Sequence, residues 1–289
     1  MAGEVVDVVV AGGGPSGLAV AIFARLRGLS VIVLEQRSKL PIDKCCGEGV
    51  MPHGVTLIKA MGLEIDEDGI SPYRGITYIE ATDAQRLITA QGYFPAEPGL
   101  GVRRTHLHQA LLVRAQELGA DVRLGTKVTG LSEDGFLTKS GDVVGKWRVA
   151  ADGLRSPLRH NAGLSVSKNS IKRFGVRRHY AMPPWSDMVE VHLGKNCEAY
   201  VTPVGANRVG VALLSSQGSA KYDVLLAHFP QLAARVAGAP VDSSDAGAGP
   251  LHQEAHRMVT GNLALVGDAS GFGDPLTGEG VSLAFGSAL

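Results

Sequence analysis

A glycine-rich turn, Gly12-Gly13-Gly14-Pro15-Ser16-Gly17, follows a mostly apolar run from Val5 to Ala11, and Glu35 stands 18 residues beyond Gly17. These residue types at this spacing suit a dinucleotide. Gly12 permits a tight turn, Gly14 lets backbone approach a pyrophosphate, and Gly17 lets a helix pack closely on the strand. Free N–H groups at the helix start would receive the pyrophosphate, and Glu35 would accept hydrogen bonds from the adenosine ribose hydroxyls.

A second stretch with chemical potential lies near the other end. The apolar Asn262–Val266 runs into Gly267-Asp268-Ala269, and Pro275-Leu-Thr-Gly278-Glu-Gly280 then opens a helix. Ligands of open α/β sheets lie beyond the carboxyl ends of the strands. Asp268 there could accept hydrogen bonds from a polyol, and the helix after Gly280 could turn its positive end to an anionic ring. Two such strand-glycine-helix junctions at opposite ends of the chain argue for one long cofactor.

Other candidates have plainer readings beside the chemical ones. Lys44-Cys45-Cys46-Gly47-Glu48 reads as buried small side chains beside a turn, or as a thiol near a cofactor with Lys44 favouring thiolate. Taken alone, Arg103 and Arg104 read as an exposed pair, although a guanidinium just before a helix could reach a phosphate. Arg173, Arg177 and His179 would share one strand face, an anion-docking surface or, by preference, a solvated one. Ala151-Asp152-Gly153 is a strand end that is often only a turn. His252 and His256 are four apart without the zinc-protease pattern or a third ligand, so no metal is expected.

Elements must bring these residues together. The first strand, a helix through Leu26 closed by Gly28, and a second strand Val31–Leu34 form a β-α-β unit. A short helix is expected over Gly54 to Met61, and short strands over Gly75 to Glu80 and Arg86 to Thr89. A loop should follow from Gly92 to Gly101. Thr105 could cap a helix with Leu107, Leu111, Ala115 and Leu118 on one face. Strands follow at Val122–Leu124, Lys127–Leu131 and Lys146–Ala151. From Arg173 to Leu214 alternation takes over, as in Val189, Val191 and Leu193, and predicts a second, mostly antiparallel sheet. A helix over Tyr222 to Val236 should break near Pro230.

Lys plus Arg equals Asp plus Glu at 28 each, so no net field recruits nucleic acid or an anionic membrane. Hydrophobic residues at 45% with no membrane-length run or signal pattern fit a soluble, cytoplasmic protein, and three cysteines make no disulfide framework. Val281 to Leu289 reads as a helix stopped without a cap, so a C-terminal segment is expected to be missing.

Together, Gly12-x-Gly14-x-x-Gly17 with Glu35, Ala151-Asp152-Gly153-x-x-Ser156-x-x-Arg159, and Gly267-Asp268 with Pro275-x-x-Gly278-x-Gly280 resemble the para-hydroxybenzoate-hydroxylase-like FAD superfamily. That group includes aromatic hydroxylases, geranylgeranyl reductases and flavin-dependent halogenases. Arg104-Thr-His-Leu107 is similar to its arginine-led helix start. The resemblance implies an α/β fold: a Rossmann-like FAD-binding domain (1–74, 101–165 and 252–289) with an inserted, mostly antiparallel β-sheet substrate domain (75–100 and 166–251). It implies FAD contacts from Gly12, Gly14, Pro15, Ser16, Gly17, Glu35, Gln36, Arg37, Arg104, Val128, Asp152, Gly267, Asp268, Pro275, Gly278 and Gly280, with NAD(P)H as electron donor.

Cys46-Gly47-Glu48-Gly49 is similar to a segment of geranylgeranyl-reductase-like proteins whose cysteine lies close to the flavin, which makes Cys46 and Glu48 flavin-facing candidates. The tryptophan those proteins usually carry is missing from Tyr200-Val-Thr-Pro203-Val-Gly205, and the halogenase Trp-x-Trp-x-Ile-Pro is absent. The expected activity is an NAD(P)H-dependent monooxygenase acting on a small aromatic or polyketide-like substrate. The alternatives are a reductase of an isoprenoid or quinone double bond, and a truncated flavin-binding protein without turnover.

Overall fold

The computed structural model describes residues 5–81, 86–166, 172–218 and 220–289. Its larger sheet runs Val259–Thr260, Leu263–Leu265, Gly141–Ala150, Val6–Ala11, Val31–Glu35 and Asp121–Leu124, joined by a hairpin from Val128–Leu131 and Gly135–Thr138. The strands from Leu263–Leu265 to Asp121–Leu124 are mutually parallel. Parallel neighbours need crossovers, and both faces are then covered. Helices Pro15–Leu26 and Arg104–Glu117 cover one face, burying Leu18, Ile22, Leu107 and Leu111 against Val8, Val10 and Val33. Val9, Ala11, Ile32 and Leu34 point to the other face and pack with Phe136 and Leu158.

The second sheet has seven strands in the order Ala246–Ala248, Phe174–Tyr180, Val209–Ser215, Cys197–Pro203, Val189–Leu193, Gly75–Ala81 and Leu87–Tyr93. All its pairs are antiparallel except Val189–Leu193 with Gly75–Ala81. Side chains alternate between faces. Val201, Val211 and Leu213 pack on Leu225, Phe229 and Leu232 of the helical segment behind the sheet. Val189, Val191, Tyr200, Ala212 and Leu214 stand on the other face, toward the parallel sheet.

Several boundaries differ from the sequence expectation. The strand expected over Arg86 to Thr89 runs Leu87–Tyr93, because pairing with Gly75–Ala81 continues to the Gly75–Tyr93 register. The loop after it is shorter, since Gly99–Val102 pairs with Ile70–Tyr73. Tyr222–Leu226 and Pro230–Val236 are two helices, with Pro230 in a first turn where its missing N–H leaves no bond unmade. Among the described residues no helix is long and apolar enough to cross a membrane.

Candidate functional site

A cavity of about 1240 Å³ lies between the carboxyl ends of the parallel strands and the inner face of the second sheet. Single small-ligand pockets usually occupy about 300–1,000 Å³, so this one has room for a dinucleotide and a second molecule. Gly12, Gly14, Pro15, Ser16, Glu35, Gln36, Arg37 and Val128 line one arm. Arg104, Asp152, Gly267, Asp268, Pro275, Gly278 and Gly280 line the remainder, with Cys46 and Glu48 against the second sheet. Gly17 is not on the surface of the cavity but packs beneath it.

The glycine turn is fixed from both sides. Glu35, 6% exposed, accepts the Gly13 N–H at Oε2 and the Arg37 N–H at Oε1, both at 2.7 Å. On the helix Arg104–Glu117, His108 donates from Nε2 to the Gly13 carbonyl at 3.0 Å. Sequence reasoning missed His108, whose place in an apolar helical face looks like core. Burial, then the Arg104 charge, pushes its pKa down to about 4 from an ordinary 6.5. An unfolded chain therefore takes up a proton between these values that the folded chain refuses. Stability should fall as pH drops through that window, by about 2–3 kcal/mol between about pH 7 and about pH 4.5. Urea unfolding at both values checks this, and His108→Asn should remove the His108 share of the slope, leaving what the buried His179 adds in the same direction.

The second junction is braced in a similar way. Asp152 accepts the Ser156 hydroxyl at 2.6 Å and the Leu158 N–H at 3.1 Å, which fastens the turn leading into helix Pro157–Asn161. The buried Arg159 donates to the carbonyls of Leu154 and Ala269, at 3.2 and 3.0 Å, and so ties this turn to Gly267–Ala269. Asp268 pairs with Lys44 at 2.9 Å.

Glu48 overturns three local readings. Its Oε1 accepts from Arg103 Nη1 at 2.8 Å and from the Arg104 N–H at 2.7 Å. The helix start is thus capped by a distant carboxylate; Thr105 caps nothing, because the helix begins one residue earlier at Arg104. Arg103 and Arg104 are not an exposed pair, being 8% and 6% exposed. Glu48 Oε2 meets His179 Nε2 at 2.5 Å. Arg177 can only donate, so its contact with His179 Nδ1 at 2.9 Å leaves that nitrogen the acceptor and Nε2 the N–H that faces Glu48. Arg177 and His179 share a face, as their spacing indicated, but it is a buried face and not a solvated one, at 1% and 0% exposure. Asp43 completes the group, 2.6 Å from Arg177.

The electrostatics follow from that network. Burial alone would raise the Glu48 pKa, but the His179 hydrogen bond and the charges of Arg103 and Arg177 outweigh it and hold the carboxyl below the usual range. Burial lowers His179, in keeping with its neutral tautomer. Glu48 therefore carries no proton to give, and both its oxygens are occupied. The thiols go the other way. Burial pushes Cys45 up to about 12 and raises Cys46 as well. Of the two readings of this loop the buried one holds and the Lys44-assisted thiolate does not, because Lys44 is turned to Asp268 and desolvation dominates.

The cavity residues fit FAD. Among the described residues, a Cβ on Gly14 would meet no atom within 4 Å, which leaves the turn open for a close-lying phosphate, and the buried Arg104 Nη1 has no partner. Residues 5–288 match the family described as FAD binding domain. The digeranylgeranylglycerophospholipid reductase of Methanococcus vannielii is 27% identical over 306 residues, covering 99% of this chain and 75% of its own. The menaquinone reductase of Mycolicibacterium smegmatis is 29% identical over 303 residues, covering 95% and 72%. A geranylgeranyl bacteriochlorophyll reductase-like protein from Thermoplasma acidophilum shares the fold with a TM-score of 0.79 at 23% identity, over 99% of this chain and 76% of that one. The flavin-dependent brominase Bmp2 gives 0.83 at 21%, over 99% and 77%. Cavity, glycine turn and family match agree: the chain belongs to the FAD binding domain family and is an FAD-dependent oxidoreductase.

Proposed function

We propose that this enzyme is a reductase that saturates a carbon–carbon double bond in a prenyl-type substrate, with NAD(P)H as the source of electrons. The observation behind this reading is the cavity wall on the second sheet. Ile76, Val189, Val191, Ala212 and Leu214 offer it a nearly continuous hydrocarbon surface. Each Å² of apolar area removed from water contributes about 25 cal/mol, so such a wall suits an isoprenoid tail. The names of the curated relatives, lipid and menaquinone reductases, support the same reading.

In this reading residues 75–100 and 166–251 hold the substrate and the rest holds FAD. Gly12, Gly14, Pro15 and Ser16 cradle the pyrophosphate above Gly17, while Glu35, Gln36, Arg37 and Val128 surround the adenosine. Arg104, Asp152, Gly267, Asp268, Pro275, Gly278 and Gly280 lie along the ribityl chain and ring. Once bound and reduced, FAD supplies a hydride for one carbon of the double bond. The proton for the other carbon is kept on Sγ of Cys45 or Cys46, since both thiols line the cavity and burial keeps them protonated. The apolar wall keeps water from competing for the hydride.

The test is a single anaerobic turnover. FAD-loaded protein, reduced with NADPH, NADH or dithionite, is mixed with a C20 prenyl alcohol or a prenylated naphthoquinone, then exposed to air before mass analysis. A product with two added hydrogens in its chain is expected, because ring reduction reverses in air and chain saturation does not. A substrate unchanged without oxygen, with an aromatic probe gaining one oxygen atom in air, would sink this reading in favour of the monooxygenase.

A further inference from the structure

The outer strands of the two large sheets are mostly short or charged. Ala246–Ala248, Val259–Thr260 and Val128–Leu131 have two to four residues, and Asp121–Leu124 carries Asp121 and Arg123, paired at 2.7 Å. Short length and charge are ordinary protections of an edge, whose free N–H and C=O groups otherwise template another strand. Leu87–Tyr93 has neither. Its seven residues, Leu-Ile-Thr-Ala-Gln-Gly-Tyr, include no charge and no proline, and every one is exposed. Its pairing with Gly75–Ala81 runs from end to end without a shift of register. Among the described residues no strand pairs with its outer edge.

The order of these residues says what fits there. Turned about Ala90, the strand meets a second copy of itself, antiparallel and fully overlapped. Leu87 then stands opposite Tyr93 of the other copy, Ile88 opposite Gly92, and Thr89 opposite Gln91. Each pair is compatible: apolar against aromatic, large against small, hydroxyl against amide. Leu87, Thr89, Gln91 and Tyr93 share one face and Ile88, Ala90 and Gly92 the other, so each face meets its like. No like charges are brought together within the strand. Leu87, Ile88 and Tyr93, which are 47%, 59% and 63% exposed in one copy, are partly covered in two.

We propose that Leu87–Tyr93 is the contact through which two copies of this chain form a closed dimer, their second sheets joined into one about a two-fold axis through Ala90. Such a contact uses the edge of each copy once and leaves none free for a third. The axis stands perpendicular to the sheet. The cavity faces of both copies therefore lie on the same side, in line through the register Val191–Tyr78–Ala90. None of the seven residues lines the cavity, so the contact and the FAD site are separable.

The experiment begins with sedimentation equilibrium of FAD-loaded wild type over about a hundredfold range of concentration. A monomer–dimer equilibrium with no larger species is expected. Ala90→Lys sets two ammonium groups against each other at the axis and should weaken the dimer at least about tenfold, with the flavin band and the melting temperature of dilute protein unchanged. Ala90→Cys tests the register. Mild oxidation should link two copies through that position, whereas Leu87→Cys, about 20 Å from its counterpart, should link no more than wild type. A wild type that stays monomeric or grows beyond a dimer overturns the interface. So does an Ala90→Lys that dimerises as wild type does, or linking that does not favour Ala90→Cys.

Discussion

Replacing Glu48 with alanine should destabilise the fold by about 3–5 kcal/mol, the range for breaking a buried ion pair from one side. The reason lies in what is left behind. The Arg104 N–H and the His179 N–H lose their acceptor at once, Arg103 Nη1 keeps only a longer contact of 3.4 Å to Asp43, and all three residues are buried. Arg177 and Arg103 would remain positively charged with only Asp43 between them. Glu48 also has a backbone φ of 62°, unusual for a residue with a side chain, so the network repays a local strain as well. Glu48→Gln retains one acceptor oxygen and should cost less. Urea unfolding with an unchanged m value is the measurement. A loss below about 1 kcal/mol for Glu48→Ala would mean that the network is not needed to join loop, helix and second sheet.

The second large effect separates two glycines only three residues apart. A Cβ on Gly17 would sit 1.9 Å from the Gly12 carbonyl oxygen, so the helix and the turn cannot keep their present distance. A Cβ on Gly14 would meet no protein atom within 4 Å. Gly17→Ala should therefore lower both the melting temperature and FAD affinity. Gly14→Ala should leave the apoprotein as stable as wild type and lower FAD affinity alone, on the order of a hundredfold, through a clash with the phosphate. Titration of apoprotein with FAD, followed by flavin fluorescence, together with thermal unfolding of the apoprotein, distinguishes the two. If Gly14→Ala binds FAD as tightly as wild type, the pyrophosphate does not lie over this turn.

The contrast between these two experiments mirrors what the chain declares locally and what it does not. Gly12, Gly14, Gly17 and Glu35 could be read from the sequence because their task is set within one β-α-β unit, where spacing fixes geometry. Val189, Val191 and Leu193 announced a strand for a similar reason, since alternation is a local property. The family followed from three such local units in the right order. Helix ends were less legible: Thr105 has the right chemistry for a cap, but Glu48, distant in sequence, reaches the Arg104 N–H first.

Tertiary structure alone decided the charge states and partners. Arg103, Arg104, Arg177 and His179 have the composition of a solvated surface, and no periodicity says that Glu48 and Asp43 will be folded against them. Lys44 lies next to the thiols in sequence but is carried to Asp268, 224 residues away, while burial keeps Cys45 and Cys46 protonated. His108 looks like core until its nitrogen is found on the Gly13 carbonyl. Local spacing specified where a dinucleotide can be bound. Desolvation and long-range pairing, which exist only once the two sheets close on each other, determined which groups around it hold protons, which hold charge, and which remain free to meet a substrate.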